Sequence, residues 1–161
     1  MKLFVVSDTH GILKYVRNYL KQVDDIDYII HLGDYYTDAE TLSKEFNIPT
    51  KYVYGNCDFT DKDKTDKIIE ICGKKILLTH GHRYHVKFEK DTIIIKAKES
   101  KVDAVFFGHT HIPMISKHGH ILLLNPGSAS MPRGGSNRSA AVVSIENNEI
   151  IPQIINLDEI N

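Results

Sequence analysis

Residues 3–10 read Leu-Phe-Val-Val-Ser-Asp-Thr-His, a short apolar run that stops on Asp8 and His10. Apolar runs that are continuous rather than alternating are the signature of strands buried on both faces. The same design recurs at Leu3–Val6, Tyr28–Leu32, Lys51–Tyr54, Lys75–Thr79, Val102–Phe107, Ile121–Leu124, Ala141–Ile145 and Ile150–Ile155, mostly bounded by Gly, Asn or Asp. Between the first two runs, Ile12, Val16, Tyr19, Leu20 and Val23 keep helical spacing with Lys and Asn facing outward. Thr37–Phe46 predicts a second helix, stopped before Pro49, and a third is expected over about Lys87–Ser100. From Ala140 onward the pattern is a two-stranded hairpin turning near Asn147-Asn148. A βαβαβ start, more strands around one further helix, and terminal strands predict a layered α/β fold. No linker or repeat divides it, so one domain over 1–161 is expected.

The chain has 161 residues, 42% hydrophobic and 25% charged, which is globular and excludes disordered or collagen-like classes. A net charge of -1 gives no global basic field, so anion recognition must be local and nucleic acid is not an expected partner. Cys57 and Cys72 form no CxxC, which argues against a disulfide framework or a cysteine zinc site and fits a reducing cytoplasm. The apolar stretch before Asp8 is too short for a signal-peptide core, and no run has the length of a membrane span.

The first five runs all end in residues able to hold a metal: Asp8 and His10, then Asp34, then Asn56, then His80 and His82, then His109 and His111. Open α/β sheets place ligand sites outside the carboxyl ends of their strands, so these groups are expected at one rim. In an extended segment, the i, i+2 spacing of Asp8/His10 and His109/His111 would turn both members the same way. Gly33, Gly55, Gly81 and Gly108 stand beside them, where the chain turns sharply or approaches an ion. His31, His85, His118 and His120 read as ordinary loop residues. Cys72, Tyr35, Tyr36 and the mixed-charge run Asp61–Lys67 read as core or surface.

The order Asp8-x-His10, Gly33-Asp34, Gly55-Asn56, His80-Gly81-His82, Gly108-His109-x-His111 resembles the calcineurin-like metallophosphoesterase superfamily. The short length and the segments Gly55-Asn56-Cys57-Asp58 and Asn125-Pro126-Gly127-Ser128 look most like its YfcE-type small phosphodiesterases. That resemblance implies a four-layer αββα sandwich of two mixed β-sheets flanked by helices, with two metals at the strand ends. Carried over by position, Asp8, His10, Asp34 and His111 would hold one ion. Asp34, Asn56, His80 and His109 would hold the other, with Asp34 bridging, and His82 would act from behind or on substrate. Relatives often form homo-dimers or tetramers, which is the expectation here by analogy alone. The wider superfamily has a histidine where Cys57 stands, so the usual leaving-group acid is missing.

An imidazole, carboxylate and amide set suits borderline ions such as Mn, Fe, Ni, Co or Zn, whereas Mg and Ca prefer all-oxygen sites. Two divalent ions against two aspartates and one hydroxide leave a net positive charge, which favours an anionic phosphoryl group. Ions about 3.5–4 Å apart can hold a bridging hydroxide and lower its pKa toward 7, making it the nucleophile. Cys57 is then a neighbour and no nucleophile. Asn125, Ser128 and Arg133 lie in rim loops; each is either a phosphate contact or an ordinary loop residue. The expected function is hydrolysis of small or activated phosphodiesters. The alternatives are a phosphomonoesterase or phosphoprotein phosphatase, which mono- and diester rates separate, and a non-catalytic scaffold like the retromer subunit of this fold. The scaffold's site is degraded, whereas every ligand position here is filled. A nuclease would need a basic groove or capping domain, and neither is present.

Overall fold

A computed structural model describes residues 1–59 and 65–160 of the chain. Residues 61–64 of the expected mixed-charge run, and Asn161 at the end of the expected single domain, lie outside them. In chain order the elements are β1 (Lys2–Val6), α1 (Lys14–Leu20), β2 (Tyr28–His31), α2 (Tyr36–Phe46), β3 (Thr50–Tyr52), β4 (Asp66–Ile71) and β5 (Lys74–Thr79). Then come α3 (Asp91–Glu99), β6 (Ala104–Phe107), β7 (Pro113–His118), β8 (Ile121–Pro126), β9 (Ser139–Glu146) and β10 (Glu149–Asn156).

The strands form two five-stranded mixed sheets, ordered β10-β9-β1-β2-β3 and β4-β5-β6-β8-β7. In the first, β1, β2 and β3 run parallel and β9 joins β1 antiparallel. In the second, β5, β6 and β8 run parallel, with β4 and β7 antiparallel at the two edges.

The sheets pack face to face because alternate residues of each strand point to opposite sides and both sides are apolar. Leu3, Val5, Ile30, Phe106 and Leu124 meet between the sheets with no exposed surface. The other residues of the same strands face the helices. Phe4, Val6 and Ile29 pack with Val16 and Leu20 of α1 and Leu42 of α2. Leu77, Val105 and Phe107 pack with Ile93, Ile94 and Ala97 of α3. The result is the αββα layering.

Both strands missing from the sequence reading, β4 and β7, are edge strands. Each exposes part of its surface, with Ile68 50% and Ile115 43% exposed, and carries charged or polar residues. A search for continuous apolar runs passes over such strands, whose outer side is wetted. The predicted hairpin is β9–β10, with Glu146 opposite Glu149. Asn147 (φ 49) and Asn148 (φ 62) both sit in the left-handed region that a two-residue turn requires. The third helix begins at Asp91 rather than Lys87, after a short 3-10 turn at His82–Tyr84. His31 is a correction: it is no loop residue but lies in β2, fully buried.

Candidate metal centre

The residues expected at strand ends do converge, but not on the rim of one sheet. Asp8, His10, Asp34 and Asn56 follow β1, β2 and β3 of the first sheet. His80, His82, His109 and His111 follow β5 and β6 of the second. The cluster therefore spans the seam where the two sheets end together.

Nor do the paired residues share an extended backbone. Asp8 (φ 54), His10 (φ 47), Asp34 (φ 58), His109 (φ 67) and His111 (φ 61) are all left-handed. That conformation costs an L-residue roughly 1–2 kcal/mol, and Asn, Asp and His tolerate it best. The i, i+2 pairs are therefore not extended: one left-handed pair flanks Thr9 and another flanks Thr110. Such strain persists only where surroundings hold it, as they do at functional sites.

The surroundings here are specific. Asp8 N–H donates to Gly33 O (3.1 Å) and Gly108 N–H to His80 O (3.1 Å), extending the parallel ladders into the loops. Ser128 Oγ and Ser130 Oγ both donate to Asp8 O, each at 2.8 Å. Asp58 accepts from Gly55 N (2.8 Å), Tyr35 N (2.8 Å) and Tyr36 N (3.0 Å), tying the Asn56 turn to the start of α2. Gly55 and Gly108 are required by close approach. A Cβ on Gly55 would overlap Asp34 Oδ1, and one on Gly108 would overlap Ser7 Oγ.

Behind the site runs a buried polar chain. Gly33 N–H donates to His31 Nδ1 (3.2 Å), which leaves the proton on Nε2, facing Thr9 Oγ1 at 2.9 Å. Thr9 Oγ1 donates to Asp38 Oδ2 (2.6 Å), which also accepts from Gly11 N (2.9 Å). Burial pushes the His31 pKa down to about 4 against the opposing charges of Asp38, Asp58 and Asp8.

One ligand atom each from Asp8, His10, Asp34 and His111 lies within 4.8 Å of all the others. These are the four residues that the family resemblance gives to one ion. Asp34 Oδ2 faces His10 Nε2 at 3.8 Å, while its Oδ1 faces His80 Nε2 at 3.4 Å. Asn56 Oδ1 is 3.2 Å from the same His80 nitrogen, and the His109 ring stacks edge-on against His80 at 5.0 Å. Asn56 and His109 thus lie beside His80, which faces the other oxygen of Asp34. His82 stands behind them, 5.5 Å from His80 and 6.1 Å from His109 between ring centres.

The residues fit a divalent cation. Asp8 Oδ2 is satisfied by Ser7 Oγ (2.5 Å) and His109 N (3.1 Å), whereas Asp8 Oδ1 and His10 Nε2 are buried without a hydrogen-bond partner. His111 Nδ1 is directed at Met131 O (2.6 Å) and His80 Nδ1 at Leu32 O (2.7 Å), so in the neutral rings both Nε2 atoms present lone pairs to the site. His111 Nε2 then meets Asp8 Oδ1 at 3.0 Å, lone pair to lone pair. Two acceptors at that distance are those of ligands sharing an ion about 2.0–2.2 Å from each. A proton answers the same need: although burial opposes it, the hydrogen bond and charge of Asp8 raise the His111 pKa. Asp8 is lowered despite burial, by His111 and His80. His109 is held down to about 4 by burial, then by the charges of His80 and Lys87.

The remaining expected site residues separate. Asn125 and Ser128 are fully buried; Asn125 Nδ2 donates to Gly108 O (2.9 Å) and Ser128 Oγ to Asp8 O, so both brace the ligand loops from behind. Arg133 is exposed and anchored through its N–H to His111 O (3.1 Å). Cys57 donates its N–H to Asp34 Oδ1 (2.9 Å), and burial with the Asp34 charge pushes its thiol up to about 11. Tyr35 is exposed, as expected, and its ring lies edge-to-face near His10, 5.7 Å between ring centres. The bracing residues Ser7, Thr9, Asp38, Asp58 and Ser130 have no role in the sequence reading. Only Asp58, inside the quoted Gly-Asn-Cys-Asp segment, carried a signal there.

Two mixed sheets back to back, helices outside, and an Asp/His/Asn cluster at their seam are the frame of a metallophosphoesterase. The chain belongs to that family: the Calcineurin-like phosphoesterase superfamily domain matches residues 1–148. It is 32% identical over 148 residues to "Probable metallophosphoesterase YsnB" of Bacillus subtilis (strain 168), covering 91% of this chain and 86% of the relative. "Phosphodiesterase YfcE" of Escherichia coli (strain K12) is 26% identical, covering 96% of this chain and 97% of the relative. Among solved structures, a conserved uncharacterized protein of Streptococcus pneumoniae TIGR4, described as a predicted phosphoesterase, superposes with a TM-score of 0.82. It is 29% identical, covering 98% of this chain and 90% of that one. Wild-type Vps29 of Entamoeba histolytica, in complex with zinc, shares the fold at a TM-score of 0.74 and 18% identity, over 98% and 99% of the two chains.

Proposed function

We propose that this chain is a dinuclear-metal phosphodiesterase acting on small or activated diesters. In this reading Asp8, His10, Asp34 and His111 hold one ion, and Asp34, Asn56, His80 and His109 hold the second. The observation that carries it is Asp34, whose two oxygens face His10 and His80 in opposite directions. Bound there, divalent ions supply Lewis-acid charge and acidify a water. The chain's own part is to fix geometry: Leu32 O and Met131 O orient His80 and His111, while Ser7 and the His109 amide aim Asp8 Oδ1 inward.

Diester preference rests on Cys57. At a thiol pKa of about 11 it stays protonated and weakly acidic at neutral pH, a poor donor to an alkoxide leaving group. Leaving groups that need little help to depart are therefore favoured, and the similarity to a protein named a phosphodiesterase, YfcE, supports the diester reading. Mn, Ni, Fe, Co or Zn suits the ligand set, and the zinc complex of Vps29 supports one of these. The same proposal includes one domain over the whole chain, a cytoplasmic location and a homo-dimer or tetramer. Among the described residues no helix is long and apolar enough to cross a membrane.

The test loads the protein with Mn or Ni, counts ions by mass spectrometry, and compares bis(4-nitrophenyl) phosphate with 4-nitrophenyl phosphate. Two ions per chain and a higher kcat/KM on the diester are expected. Bound metal without turnover removes the proposal, and a monoester preference reassigns it to phosphomonoesters.

A further inference from the structure

A groove of about 370 Å³ opens beside the candidate metal centre. Ile112, Pro113 and Met114 line it over the buried side chains of Val86 and Phe107, and Lys87 and Arg133 line it as well. Thr110, the residue between His109 and His111, lines it too, so groove and metal cluster share a wall. The size falls within the range of small-molecule sites, which are mostly apolar with a few polar groups that fix orientation.

The two cations are placed on the metal side. Lys87 is near enough to His109 for its charge to act on that ring, and Arg133 does the same to His111. Among the described residues neither side chain has a hydrogen bond or ion pair, whereas the third cation of the groove, Lys90, is committed to Val86 O. Two free cations therefore flank the path from the ions into an apolar slot. Phosphate would meet positive charge first and its organic substituent would meet Ile112 and Met114.

That lining selects the substituent. A thioether favours contact with aromatic edges, and Lys or Arg favours the face of a ring. A sugar or polyol seated there would leave its hydroxyls against Ile112, Pro113 and Met114 without partners. We propose that this groove is the substituent subsite of the enzyme, and that it takes phosphoesters carrying a flat aromatic or heterocyclic ring of nucleobase size. This rests on the metallophosphoesterase reading above and adds the substrate class.

The test is a titration of the metal-loaded protein with inorganic phosphate and with adenosine 5′-monophosphate, read by calorimetry. At least tenfold tighter binding of the nucleotide is expected, and Met114→Glu should remove that gain, bringing the two ligands within twofold of each other. In parallel, methyl-labelled methionine reports the site without a substitution: the Met114 signal should move with the nucleotide and stay still with phosphate. Phosphate binding with no gain from the ring, or a gain that survives Met114→Glu in folded protein, overturns the subsite alone. Failure of phosphate itself to bind brings down the parent reading, and the subsite with it.

Discussion

Thr9 Oγ1 donates a 2.6 Å hydrogen bond to Asp38 Oδ2, and through it the loop carrying Asp8 and His10 is pinned to the first turn of α2. Both partners are buried, so neither can exchange the bond for water.

Thr9→Val keeps the side chain's shape and removes this bond. It leaves Asp38 Oδ2 only the Gly11 N–H and strands the His31 Nε2 proton, at a cost of about 1–3 kcal/mol for a buried group left unsatisfied. Urea unfolding should show that loss, and metal content at equal protein concentration should fall with it. Unchanged stability and metal content would contradict the bracing role.

Gly108→Ala places a methyl group against Ser7 Oγ and close to Asp8 Oδ2, at 2.8 Å. The loop has to move, and forced overpacking of this kind costs roughly 1–3 kcal/mol. Circular dichroism should show a folded protein with lowered Tm, and ion stoichiometry should drop below that of the parent.

His31 predicts an acid limb in stability. Its pKa is depressed to about 4 in the folded chain against 6.5 when unfolded, so between those values the unfolded state binds more protons. Stability is then full above about pH 6.5 and is lost as pH falls toward 4, by at most about 3 kcal/mol at 1.36 kcal/mol per unit. His109 is depressed to about 4 as well, so urea midpoints of the metal-free protein and of His31→Gln, compared from pH 7.5 down to 4.5, isolate the His31 share. A flat profile would place the His31 proton elsewhere.

Cys57→Ser should leave diester turnover within about threefold, because a thiol with a pKa of about 11 is no nucleophile at neutral pH. Cys57→His adds an acid beside Asp34, and a positioned general acid contributes about 10²–10⁴-fold where the leaving group needs a proton. The ratio of monoester to diester kcat/KM should therefore rise at least tenfold in the histidine variant.

Much of the fold was legible because β1, β2, β5, β6 and β8 are apolar along most of their length and end abruptly on Gly, Asp or His. The hairpin was legible from Asn147-Asn148. What escaped is wetted on one side: β4 and β7 mix charged and apolar residues as edge strands do. At the site, side-chain type and chain order identified the converging groups, but the backbone was misread. Asp8, His10, His109 and His111 reach inward through left-handed φ angles, which residue type permits without announcing. Asn125 and Ser128 were placed near the site by sequence position, yet only burial shows that they face the protein. Asp38, thirty residues from Asp8 and in a helix, has no local pattern that could have pointed to it.

The position of the ligand cluster on the seam ties ion release to the cohesion of the sandwich. Asp34 belongs to one half and His80 to the other, so a cation held by both, as proposed above, would act as a clasp between the halves. Its affinity enters the folding equilibrium directly, growing with the logarithm of free metal. Chelation should therefore loosen the fold itself, and metal supply would set how long each copy of the protein survives.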